Sequence, residues 1–146
     1  MLDFSAFLDQ MWIARFALIK GLGVTVSISF LSIVAGSVLG VLVGLALAYG
    51  NWLLRLAVRA YTDFIRGTPV LVLVLASYYV LSTIGIELGP FQAGILALAV
   101  FCSSHVGEIV RGGLQAIPQG QTEAAKAIGL TFRQTFAYVL WPQALR

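Results

Sequence analysis

Side chains able to do chemistry are few in this sequence and fall in three short stretches. The first is Ser103, Ser104 and His105, followed by Glu108 and Arg111. A hydroxyl beside an imidazole raises the question of nucleophilic hydrolysis. Neighbours on a helix point about 100° apart, however, so neither can serve the other as base without help from elsewhere. Glu108 can pair with Arg111 three residues on, or with Arg66 across two helices, and either pairing is more often structural than catalytic. The second stretch is Asp63, Arg66, Gly67, Thr68 and Pro69. It reads as an i, i+3 ion pair at a membrane surface, with Thr68 as a cap and Pro69 in the first turn of the next helix.

The third stretch runs from Pro118 to Pro142. Thr122 can cap a short helix, with Glu123 in its first turn where a negative charge suits the helix dipole. Ala124, Ala125, Ala127 and Ile128 follow, and Gly129 can turn left-handed and stop the helix. Thr131 opens a second helix, with Gln134 three residues later completing a capping box. Phe132, Phe136 and Val139 or Leu140 share one side of it. A short helix with a small face can sit in the groove of another protein. Cys102 is alone, so no disulfide within the chain and no multi-Cys metal site are possible, and no metal ligand set is expected. Neither Lys20 nor Lys126 follows a glycine, so the chain carries no Gly-x-x-x-x-Gly-Lys-Ser/Thr phosphate loop.

The elements that must position these groups are apolar. Of the 146 residues, 60% are hydrophobic and only 10% charged. No Asp, Glu, Lys or Arg occurs from Gly21 to Leu54, from Gly67 to Ile86, or from Leu88 to Gly107. About 20 helical residues cross a hydrocarbon layer of about 30 Å, so each run is long enough to span. The chain is an integral membrane protein, all α-helical, and a soluble enzyme is excluded. The expected spans are 21–50, 67–86 and 91–113, within a single domain of 1–146. In the first span Ser32, Gly36, Gly40, Gly44 and Ala48 form a column at four-residue spacing, a face for close packing on another helix. Before it, Phe4, Phe7, Leu8, Met11, Trp12, Phe16 and Ile19 make residues 1–20 amphipathic. That segment suits a membrane interface or packing on the protein's own spans.

Basic residues give the orientation. Arg55, Arg59 and Arg66 lie between the first two apolar runs, and Arg111, Lys126, Arg133 and Arg146 follow the third. The turn between the second and third carries only Glu87. Basic connections favour the cytoplasmic side, so the tail is expected inside and the N-terminus outside, although Arg15 and Lys20 pull mildly the other way. The net charge of +3 is small and flanks apolar runs, so no nucleic-acid partner is expected.

The spacing of the tail resembles a known family. Glu123-Ala124-Ala125-Lys126-Ala127-Ile128-Gly129, then nine residues, then Val139-Leu140-Trp141-Pro142, is similar to the EAA signature of ABC importer membrane subunits. Arg66-Gly67-Thr68-Pro69, Glu108-Ile109-Val110-Arg111-Gly112-Gly113 and Pro118-Gln119-Gly120-Gln121 resemble the polar-amino-acid permease branch, histidine and glutamine permeases among them. Trp141 stands where that pattern has Leu, and His105 where the branch has Tyr.

The resemblance implies the transmembrane domain of a bacterial type I ABC importer in the cytoplasmic (inner) membrane. Such a subunit pairs with a second permease subunit, as homodimer or heterodimer, and receives a polar amino acid from an extracytoplasmic binding protein. Its EAA helix, here within the cytoplasmic segment 118–142, enters a cleft of a separate ATPase subunit, which binds ATP and Mg. The coupling role then falls on Glu123, Ala124, Ala125, Gly129 and Pro142, and this chain hydrolyses nothing itself. Ser104, His105 and Glu108 become candidates to line the pathway, with Arg66, Glu108 and Arg111 as ion pairs at its inner end. The family pattern has five spans, two of them after the EAA segment, so 1–146 is expected to be one such domain lacking its C-terminal spans. A non-transporting scaffold or regulator derived from such a permease is therefore the alternative. A channel or secondary transporter would leave the EAA spacing unexplained.

Overall fold

The computed structural model describes residues 4–144, and all their regular elements are helical. Phe4, Phe7, Leu8 and Met11 of the amphipathic stripe lie outside the described side chains, and Arg146 lies outside the described residues. Helix α1 runs from Phe4 to Tyr49 without a break. The stretch before Lys20 therefore continues the axis of the apolar run instead of forming a separate segment. Gly21 and Gly23 do not interrupt it. The hydroxyls of Thr25 and Ser27 donate back to the carbonyls of those two glycines, at 3.0 and 2.8 Å.

Helix α5, Pro90–Gln115, starts with proline in its first turn, where the missing N–H costs nothing. It packs along α1 on the small-residue column. A Cβ placed on Gly36 would stand 2.5 Å from the Cβ of Cys102. On Gly40 it would stand 2.5 Å from Val106, and on Gly44 2.6 Å from Val110. Ser32 donates to the Ile95 carbonyl at 3.4 Å. The carbonyls of Ala99, Ser103 and Gly107 face Gly36, Gly40 and Gly44 in turn, so four residues along α1 match four along α5. The two helices run parallel.

The chain between them therefore has to return. Helix α2, Trp52–Gly67, is opened by Asn51, whose side chain accepts from the Leu54 N–H at 2.8 Å. It ends at Thr68, which differs from the sequence expectation. The Thr68 hydroxyl donates back to Phe64 at 2.8 Å, so this residue closes α2 and does not cap the next helix. Pro69 cannot extend α2, having no N–H and a ring that meets the carbonyl four residues back. It becomes the cap of α3, Val70–Leu75. A π-helical turn, Ala76–Val80, leads into α4, Leu81–Thr83.

The axis turns by 107° between Trp52–Gly67 and Val70–Thr83. The second span thus differs from a straight helix over 67–86. The stretch after the break is only about 21 Å long. On the other side of the break, the Tyr61 hydroxyl of α2 lies 2.7 Å from Ser103 Oγ, midway along α5. Ser77, beyond the break, reaches the Ala93 carbonyl at 2.9 Å.

Burial is inverted relative to a water-soluble protein. The covered residues are mostly small, among them Ser32, Ala93, Ala97, Ala99, Ser103 and Ser104, while Phe30, Ile33, Leu42 and Ile109 face outward. Among the described residues two helices are long and apolar enough to cross a membrane, Trp12–Tyr49 and Pro90–Gln115, and a third if the bent pair counts as one span. Between helices of this kind small residues permit backbone contact, and the large side chains are left for lipid or another subunit.

Candidate functional site

After α5 the chain turns at Pro118 and enters α6, Gln119–Ala127. The helix starts earlier than Thr122, which lies inside it, and Glu123 falls in the second turn. Pro118 has extended backbone and its carbonyl accepts from Gln121 at 3.0 Å, so the helix begins directly behind the proline.

The end of α6 is fixed by Gly129, at φ +81°. Its N–H donates to Lys126 at 2.9 Å and the Leu130 N–H reaches Ala125 at 3.1 Å, the paired bonds of a Schellman stop. A Cβ on Gly129 would meet nothing within 4 Å, so glycine is needed for its backbone and not for space. Thr131 then opens α7, Phe132–Thr135, and the capping box with Gln134 is complete in both directions.

A second π-helical turn, Phe136–Leu140, leads into α8, Trp141–Ala144. Pro142 lies just past it. A proline at that point cannot donate to Tyr138 and would crowd its carbonyl, and the wider turn accommodates both defects.

α6 presents Glu123, Ala124, Lys126 and Ala127 outward and covers Ala125. Ile128 projects beyond them at 77% exposure, a large apolar side chain at the tip of a small-faced helix. The segment is held from two sides. The Ala144 carbonyl lies 2.9 Å from where a Gly113 Cβ would be, so α8 touches α5 backbone to backbone. At α1, Tyr49 meets Phe132 and Phe136 edge-on, with ring centroids 5.6 and 6.0 Å away. Gln143 ties α8 to α6 through Gln121 Oε1 at 3.3 Å.

The cluster on α5 resolves differently from its sequence pattern. Glu108 pairs with Arg111, whose Nη2 and Nε donate to the same carboxylate oxygen at 2.6 and 2.9 Å. Arg111 also donates to Gln115. Arg66 is exposed, and among the described residues it forms no ion pair with Glu108 or Asp63.

Ser104 Oγ and His105 Nδ1 do come together, at 3.2 Å, although adjacent helical side chains diverge at their base. Both curl back to the Phe101 carbonyl, Ser104 at 2.8 Å and His105 at 3.0 Å. A carbonyl only accepts, so Nδ1 carries a hydrogen there and has no lone pair for the serine proton. The pair is not a nucleophile and base. Ser104 is fully covered by the chain, while His105 and Glu108 are half-buried. Among the described residues no three His, Cys, Asp or Glu side chains converge to hold a metal ion.

Three residues of this arrangement went unread in the sequence. Tyr49 and Tyr61 had only their aromatic character as a signal, since their partners are distant in the chain. Gln143 had none.

Residues 36–146 match the family described as binding-protein-dependent transport system inner membrane component, and the chain belongs to it. A probable amino-acid ABC transporter permease protein of Bacillus subtilis, YckA, is 36% identical over 128 residues, covering 88% of this chain and 57% of that protein. The glutamine transport system permease protein GlnP of Escherichia coli K12 is 34% identical over 140 residues, covering 94% of this chain and 64% of GlnP. The chain thus spans about three fifths of the length of these relatives.

A solved amino acid ABC transporter with histidines superposes with a TM-score of 0.83 at 34% identity, over 99% of this chain and 66% of that one. The inward-facing MetNI methionine ABC transporter gives 0.75 at 29% identity, over 90% and 64%. The fold is that of an ABC importer transmembrane domain.

Proposed function

We propose that this chain acts as a permease subunit of an ATP-driven importer of polar amino acids, coupled through α6 to a separate ATPase. The observation that carries the reading is the exposed Glu123–Ile128 face, stopped by the Gly129 turn and tied to both long helices. A small-faced helix with an apolar tip suits a groove in a partner, and the two attachments would carry its movement into the membrane. The names of the relatives support amino acids as the cargo. The partners proposed are an ATPase that binds ATP and Mg, a second permease subunit and an extracytoplasmic binding protein.

The parallel course of α1 and α5 supports one return crossing between them, through α2 and α3, and so three spans approximating 21–50, 67–86 and 91–113. Arg55, Arg59 and Arg66 lie on α2, which follows the Tyr49 end of α1, and Arg111, Lys126 and Arg133 lie at and after the matching end of α5, which supports a cytoplasmic α6 and an outside N-terminus in a bacterial inner membrane. Glu123, Ala124, Ala125, Gly129 and Pro142 serve coupling.

His105 and Glu108 border the pathway. With Nδ1–H committed to Phe101, His105 Nε2 is left to accept a hydrogen bond from a substrate ammonium group. Ser104 supports that tautomer from beneath and does not itself face the cargo. The Glu108–Arg111 pair closes the inner end, with Arg66 nearby.

The test is reconstitution with the ATPase and binding protein of an amino acid ABC importer. ATP-dependent uptake of a labelled polar amino acid is expected, and His105→Ala should alter the ranking of acidic, neutral and basic amino acids at normal protein levels. Normal assembly of all subunits without ATP-dependent uptake would overturn the reading.

A further inference from the structure

Among the described residues, the EAA helix packs mainly on the segment that follows it and little on the membrane helices. Between α6 and the ends of α1 and α5 lies a cavity of about 280 Å³, bordered by Leu114, Gln119, Thr122, Phe132 and Leu140 with Tyr49. α6 rests instead on α7 and the second π turn. Besides the short turn over 116–118, movement of α6 is carried into the membrane helices around the cavity, through the α7–α8 segment.

That segment has two attachments of different kinds. At α5 the contact is made by α8, backbone on backbone at Ala144 and Gly113, and the turn over 116–118 joins the same end of α5 to α6. Both holds lie at one end of α5 and leave the segment free to hinge there. At α1 the attachment is aromatic. Tyr49 stands edge-on at 81° to both Phe132 and Phe136, and Phe136 lies 5.7 Å from Trp141. Phe136, Ala137 and Trp141 also border a cleft with Val41 and Leu45 of α1. α1 and α5 are locked to one another by the glycine register, so the two attachments sit on one rigid pair.

We propose that Tyr49 is the positioning residue that stops the α6–α8 segment from pivoting about Gly113, and so converts a push on α6 into displacement of the α1–α5 pair. This rests on the coupling role proposed for α6. The ring edges supply the constraint, because edge-to-face contacts fix both distance and angle. The phenolic hydroxyl takes no part, and Tyr49→Phe should behave as wild type. Tyr49→Leu keeps apolar bulk but removes the edge contacts.

The experiment uses the assembled transporter in proteoliposomes and measures uptake of labelled polar amino acids per ATP hydrolysed. With the segment free to pivot, ATP hydrolysis continues and transport does not keep pace with it. Tyr49→Leu and Phe136→Ala should each lower the ratio about ten-fold, with the ATPase retained and protein levels normal. Tyr49→Phe should restore it to within about two-fold. A Tyr49→Leu transporter that retains its ATPase and the wild-type ratio overturns the anchor alone. Equal loss of assembly in Tyr49→Leu and Tyr49→Phe overturns it too, because the hydroxyl would then matter and the role would be structural. Failure of the wild-type chain to hold an ATPase at all would overturn the coupling reading itself.

Discussion

Gly40 and Val106 approach so closely that a methyl group on Gly40 would stand 2.5 Å from the valine Cβ. Carbon atoms in contact are comfortable at about 3.5–4.0 Å, so even alanine must displace α5. Gly40→Leu should cost about 3 kcal/mol or more through overpacking and reduce the amount of folded protein in the membrane. Val106→Ala in the same chain should recover part of the loss for Gly40→Ala. Thermal denaturation in detergent checks both. Gly112 has nothing within 4 Å of its Cβ position, so Gly112→Ala is the matched control and should leave the midpoint nearly unchanged.

The Glu108–Arg111 pair is about three-quarters covered or more, with side chains 19% and 25% exposed. Removing one partner leaves the other charge poorly solvated. Arg111→Ala should destabilise by about 1–3 kcal/mol, between the values for exposed and for buried pairs. Glu108→Gln should cost less, because it still accepts from the guanidinium. A double variant close to the sum of the two singles would contradict the pairing, since partners in contact are not additive.

Gly129 tests the turn that ends the EAA helix. Its φ of +81° disfavours any side chain, although the space around it is empty. The expected order of stimulated ATP hydrolysis and uptake is Gly, then Asn, then Ala, with Val abolishing both while insertion stays normal. Wild-type transport by Gly129→Val would remove the backbone argument.

Much of this was legible from residue type and spacing. The small column of Ser32 to Ala48 marked a face for close helix packing, though not which helix would meet it, because lipid leaves backbone approach as the main drive for helix pairing. The Gly129 stop and the Thr131–Gln134 box were legible because both are made within one turn of chain. The break at Thr68–Pro69 was harder. The same residues fit a helix entrance or a helix exit, and only the direction of the Thr68 hydroxyl, toward Phe64, decides between them. The start of α6 was misjudged because Thr122 is a good cap by type, while Pro118 had already set the backbone for helix entry. Ser104 and His105 were expected to diverge, and the shared Phe101 acceptor brings their tips together. Contacts that join distant segments, such as Tyr49 with Phe132, left no local trace.

Orientation can be tested with single cysteines in a Cys102→Ser background. Glu87→Cys should react with a membrane-impermeant maleimide added to intact cells or spheroplasts, and Lys126→Cys should react only after lysis. The opposite pattern would place α6 outside and remove any contact with a cytoplasmic ATPase.

The most direct test of coupling places a photo-crosslinking side chain at Ile128, the exposed tip of α6, in membranes that carry the neighbouring ATPase. Irradiation should join the chain to the ATPase subunit, and the yield should change when ATP and Mg are added. No crosslink from Ile128, with a strong one from an outward position such as Ile33, would contradict docking through the EAA helix.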